Sequence, residues 1–481
     1  MRGWVRIAFA ATLLFLTGSA HAQMGIPGCG MMVPRSSSGS QMSSRNGMPD
    51  DCPFMIAPPG GSILPGPMQG NPPDIFLNFA SNQAYIKSTN ATVAASPLLT
   101  VSRASSGTVN DTSGNWTTVG SNLPRISNLG LLVEESRTNS LRNNSMQGAV
   151  VSGALPTNWL IQSAAGLTTT VAALGTESGV DFIDLQVSGT AAGTQWQVRF
   201  ESPAAIAAIQ NQTWTSSLFA YFSGGSTANV TGQKLQIFSY TSAPAFLTAY
   251  PTTVSVPSVG PLGASRFSGI SQVTDVTIAS VISLLEVDVS NGQSINFTIR
   301  IGWPQLELGA SATSPIRTTS VAVTRAADAV TLTSVPAFGS AYSQYVTATF
   351  QAPQAYNINQ VGIEYDDGTS ANRAIIRRIS GSGNGQLTTA GGTGVSLNAA
   401  AFNSNVLTKF AGAYAAGDQA FSQNGSAPIT GAAAILPSGL NAVDFGSGNG
   451  ASAFLLNGFI SQAAIWSTQR VPNTFLQAIT Q

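Results

Sequence analysis

The chain has 481 residues, a length that suits about three domains. Only 8% of them are Asp, Glu, Lys or Arg, 20 acidic and 20 basic, where roughly 25% is usual in a globular domain. Charge so sparse and balanced excludes a charged disordered tail and a nucleic-acid binder, which needs a basic surface against phosphates; the 43% hydrophobic residues can fill several cores.

Residues 1–22 carry Arg2 and Arg6, an apolar run from Ile7 to Leu16, and Ala20-His21-Ala22. A basic start, a short apolar stretch and a small-x-small site are the parts of a secretory signal peptide. The apolar run is too short to span a membrane, and no later stretch is long enough without polar interruption. The expectation is export to the periplasm or the extracellular space after cleavage near Ala22. Cleavage would leave 18 basic and 20 acidic residues and remove His21, the one histidine of the chain. A mature chain without histidine has no Ser-His-Asp triad, no Cys-His dyad and no His-ligated zinc.

Residues 23–73 hold seven of the nine methionines, ten prolines and both cysteines, Cys29 and Cys52. Such a stretch predicts a disordered arm rather than a periodic element. In an oxidising compartment Cys29–Cys52 is the one intramolecular disulfide available, worth roughly 3 kcal/mol if unstrained. An intermolecular disulfide is the alternative.

From residue 74 onward, runs rich in Val, Ile, Thr, Phe and Tyr alternate with Gly, Asn, Ser and Pro clusters, as in Ile183–Val187, Trp196–Phe200, Ile295–Ile299, Tyr345–Phe350 and Ala374–Ile379. Alternation with turn signals predicts an all-β chain of sandwiches or barrels.

Two stretches carry a family resemblance. The first runs from Arg103-Ala104-Ser105 through Asn122-Leu123-Pro124-Arg125 to Gly130-Leu131-Leu132-Val133-Glu134-Glu135-Ser136-Arg137-Thr138-Asn139. The second is Gln305-Leu306-Glu307-Leu308-Gly309-Ala310-Ser311-Ala312-Thr313-Ser314, followed by Thr324-Arg325-Ala326-Ala327-Asp328. In this order they resemble segments of phage head-spike and tail-fibre proteins. There the second stretch closes a carbohydrate-binding-module-like jelly roll. The later residues Lys409–Asp418, Asn424-Gly425 and Leu456–Trp466 resemble strands of a concanavalin A-like (laminin-G-like) sandwich. The resemblance implies a spike-like β segment at 74–145, a jelly roll at 146–320 and a concanavalin-like sandwich at 321–481. It further implies recognition of a polysaccharide or cell-surface glycan, and a homo-oligomer, a trimer as in fibres. The export signal sets this chain apart from those proteins.

On their own chemistry, the motif charges Arg103, Arg125, Glu134, Glu135, Arg137, Arg325 and Asp328 read as structural. A buried Arg–carboxylate pair in so charge-poor a chain fixes register rather than performing chemistry. Gln305 and Glu307 belong to the same motif. A glycoside hydrolase would need two flanking carboxylates, which one strand face supplies as Glu-x-Asp. Glu286-Val287-Asp288 is the best such pair, although the strand reads equally as acidic out and apolar in. Asp366-Asp367-Gly368 is a turn signal first and a calcium ligand set second; no other cofactor is implied. Trp196 and Trp214 lie in alternating strands and are expected in a core. Tyr240, Phe246 and Tyr250 flank a Pro-containing stretch and are expected to line a loop-borne sugar site. The expectation is an exported, non-enzymatic glycan-binding or adhesion protein, with a glycan hydrolase or a purely structural fibre subunit as alternatives.

Overall fold

The computed structural model describes residues 63–353, 356–449 and 454–481. The export segment and the Cys29–Cys52 pairing lie outside the described residues. What is described is nearly all β: among these residues the α-helices are Gly66–Gln69 and Asn473–Thr480.

One sandwich is built on a nine-stranded antiparallel sheet folded about a long hairpin, Leu160–Glu177 with Val180–Arg199. The hairpin turns at Ser178 and Gly179, both at positive φ (51° and 78°), the two-residue turn whose twist matches paired strands. The second hairpin strand pairs with Ser294–Leu308 along residues 182–190 and with Ser280–Val289 along residues 195–199. It therefore feeds both layers. Between them lie Ile183, Leu185, Trp196, Trp214, Leu285, Val287, Phe297 and Ile299, all buried. Trp196 and Phe297 meet edge to face at 5.8 Å.

The second sandwich has a ten-stranded and a seven-stranded sheet. Its core holds Leu77, Phe79, Val101, Val133, Val346, Tyr365, Phe410 and Phe445. This composition departs from the expected segmentation. Strand Ile75–Asn78 pairs with Gly458–Trp466, Gly130–Val133 pairs with the same strand, and Leu99–Ser102 pairs with Ala329–Leu332. The 74–145 segment is thus no separate body; it lends strands to both sheets of the C-terminal sandwich. Strand alternation marks which face is buried but not which distant strand it meets, so the pattern could not show this. The arm also ends earlier than residue 73. Leu64 and Met68 are buried beside Trp466, Phe475 and Leu476 of the C-terminal helix region.

Candidate functional site

The buried motif charges converge. Arg125 donates to Glu134 at 2.6 Å, to Ser314 Oγ at 2.8 Å and to Asp328. Arg103 donates to Asp328 at 2.8 Å, and Arg325 lies 3.0 Å from Glu134. All five side chains are at most 2% exposed. Glu134 also accepts the Ser314 amide at 2.7 Å. Burial alone would raise its carboxyl, but Arg325, Arg125 and the Ser314 donors together outweigh burial and hold it at about 2. The cluster joins residues from the N-terminal segment, the end of the jelly roll and the strand that enters the second sandwich. Every charge has a partner here, which is the geometry of a register lock.

Around it the same motifs shape a turn. Glu307 accepts from Thr313 N and Oγ1 at 3.0 and 2.5 Å, and Gln305 accepts from the Ile316 amide at 2.7 Å. Arg137 pairs with Glu135 at 2.5 Å and donates to the Leu308 carbonyl. Gly309 stands at φ 134°, a conformation L side chains rarely adopt, and a Cβ there would also displace that guanidinium, so glycine is favoured.

A second group occupies the outer face of the jelly-roll sheet. In register across four strands stand Thr253, Lys234, Glu286 and Gln197, then Pro251, Gln236, Leu284 and Arg199. Beyond them Phe238, Tyr240, Ile282 and Leu284 form a small apolar cluster with Ala249 packed against it. Phe246 is 53% exposed and stands edge-on to Phe238 at 5.1 Å and to Tyr240 at 6.1 Å. The hydroxyls of Tyr240 and its cross-strand neighbour Ser280 are buried without hydrogen-bond partners. Arg199 lies over the Phe238 ring at 5.4 Å.

These positions correct three expectations. Tyr240, Phe246 and Tyr250 lie on strands Val230–Tyr240 and Phe246–Thr253, not on loops. Tyr240 is only 3% exposed, because its strand continues to the turn and packs the ring against Phe246. Tyr250 belongs with the inner core and donates to Asp275 at 2.8 Å, so it leaves the candidate face altogether. Glu286 does lie outward of Leu285 and Val287, yet it is buried: Lys234 reaches it at 3.0 Å and Gln197 at 2.6 Å. Asp288 shares the same lysine at 2.7 Å. Both carboxylates are thus held by one ammonium, the geometry of a structural ion-pair group.

Asp366 and Asp367 do not share an ion site. Asp367 accepts from Thr369 N and Oγ1 and from Asn372, which closes a turn. Asp366 is buried on the other side, accepting the Gly368 amide at 2.6 Å. Among the described residues no three His, Cys, Asp or Glu side chains converge as a metal site.

Sequence reasoning passed over Glu364. Strand Gln360–Asp366 sets Glu364 and Asp366 on one face, with Asp444 opposite Glu364 on the neighbouring strand. All three are fully buried. Burial pushes the Glu364 carboxyl up to about 7, against the pull of Arg373 at 3.5 Å and with the push of Asp366. Asp366, hydrogen-bonded to Asp444, is likewise raised by burial. The Glu-x-Asp rule applied to Glu286 would have found this pair, but the adjoining Asp-Asp-Gly read as a turn.

No family model matches the chain, and no curated protein does. Among solved structures it is similar to the CBM40 of the Ruminococcus gnavus IT-sialidase bound to α2,3-sialyllactose, with 16% identity over 30% of this chain and 84% of that one and a TM-score of 0.26. It is also similar to the tandem CBM22 domains of Paenibacillus barcinonensis Xyn10C, with 10% identity, 68% and 97% coverage and a TM-score of 0.21. Domains LG4-5 of the mouse laminin α1 chain give 8% identity, 68% and 94% coverage and a TM-score of 0.21. The all-β architecture itself rests on the strand pairing described above.

Proposed function

We propose that the chain is an exported, non-enzymatic β protein that binds surface glycans on the outer face of the jelly-roll sheet. The observation that carries this is the Phe246 ring, exposed on a strand face beside two buried, unpartnered hydroxyls. An exposed ring offers the apolar face of a sugar a platform. Buried hydroxyls without partners cost free energy that a ligand hydroxyl would recover. Gln236, Arg199 and Lys234 add donors along the same face. A fibre-like oligomer would multiply weak sites into avidity.

The mature chain on an array of neutral glycans tests the reading. A hit measured by calorimetry is expected to lose about tenfold in affinity in Phe246→Ala, close to 1.4 kcal/mol, and a smaller factor in Tyr240→Phe. Unchanged affinity in Phe246→Ala would overturn the assignment of this face. Turnover of any glycan on the panel would overturn the non-enzymatic part.

A further inference from the structure

A cleft of about 530 Å³ opens between the edge strand Arg266–Gln272 of the jelly roll, the turn at residues 310–314, and residues 351–353 and 404–405 of the second sandwich. Asn110, Trp116, Arg266, Ser311, Gln351 and Asn405 line it. Arg266 is its unusual member. It forms no ion pair among the described residues, whereas the arginines of the neighbouring lock all do. Its guanidinium donates to Ser217 Oγ at 3.0 Å and lies near the Trp116 ring at 5.9 Å and the Phe219 ring at 5.6 Å. Its Nε is buried without a partner, and so is the Ser311 hydroxyl, on a residue 6% exposed.

An arginine held by two rings, with an unused donor edge in a polar cleft, is a site for a planar anion. Glu134 also lines the cleft, but Arg125 and Arg325 neutralise it. In that neighbourhood Arg103, Arg125, Arg266 and Arg325 stand against Glu134, Asp328 and Glu307, so with Arg266 counted the local field favours a negative guest. The volume exceeds that of a small ion and lies in the range of organic-ligand sites. Amide and hydroxyl side chains beside an indole suit a polyhydroxylated ring.

We infer that this cleft binds a carboxylate-bearing sugar, with Arg266 and Ser311 on the carboxylate and Trp116 beside the ring. The site is separate from the Phe246 face and stands or falls without it.

Calorimetry on the mature chain with digalacturonate, cellobiose and sodium sulfate tests this. Binding of digalacturonate, with cellobiose at least tenfold weaker, is expected. Arg266→Gln should weaken digalacturonate at least tenfold and Ser311→Ala several-fold, while Phe246→Ala leaves it unchanged. Arg266→Lys, which keeps the charge and loses the fork, should also bind less tightly, and its unaltered thermal melt would separate this from misfolding. Three outcomes would overturn the inference: no digalacturonate binding, because water then satisfies both groups; sulfate binding equally well, an adventitious ion only; or loss through Phe246→Ala with Arg266→Gln unchanged, which would place the acid on the sheet face.

Discussion

Arg125→Leu is expected to be among the most damaging single substitutions in this chain. It removes the cation that bridges Glu134 and Asp328, both of which stay buried. Breaking a buried pair from one side costs about 3–5 kcal/mol, since the remaining charge keeps its desolvation penalty. For a body of this size that corresponds to a fall in melting midpoint on the order of 10 °C. Thermal and urea melts at pH 7 would check it, and a loss below about 1 kcal/mol would contradict the role of the lock. The pH dependence supplies an independent reading. Glu134 is held at about 2 in the fold, below its unfolded value. Its contribution is complete above about pH 4.5 and is lost as pH falls towards 2, about 3 kcal/mol in all. Glu134→Gln should flatten that part of the acid unfolding curve.

Much of this lock is legible in the sequence, and the reason is composition. With 8% charged residues, an Arg or Glu beside an apolar strand has few other uses than a buried pair. The strand runs and the burial of Trp196 and Trp214 follow from period-2 alternation. What the sequence hides is partnership at long range. Leu99–Ser102 pairs with Ala329–Leu332 more than 200 residues away, and nothing local in either strand names the other. The same limit misplaced the sugar-site residues. Tyr250 and Tyr240 look alike beside prolines, yet strand register sends one to the core and the other to the outer face. Arg266 escaped because a single arginine on an alternating strand carries no motif; its place in the cleft emerges only from the fold.

The second large effect is expected at Glu364, with the opposite sign. Its carboxyl sits at about 7 in the fold, above its unfolded value near 4.5. The folded chain therefore holds this proton more tightly, and the stability it contributes is complete below about pH 4.5. That stability is lost as pH rises through 7, by about 3 kcal/mol. Arg373 at 3.5 Å offsets part of the burial, while Asp366 on the same face adds repulsion. Glu364→Gln keeps the shape and removes the titration. Its melting midpoint should match that of the native chain near pH 5 and exceed it at pH 8 by several degrees. Parallel curves for the two proteins across pH 5–8 would show that Glu364 stays ionised in the fold. Asp366→Asn should act in the same direction, because burial also raises that group. A face where burial raises Glu364 to about 7, so that it is partly protonated at neutral pH, can stay buried without a full set of cations. In a chain with so few basic residues, protonation thus does for the second sandwich part of what arginine does for the lock.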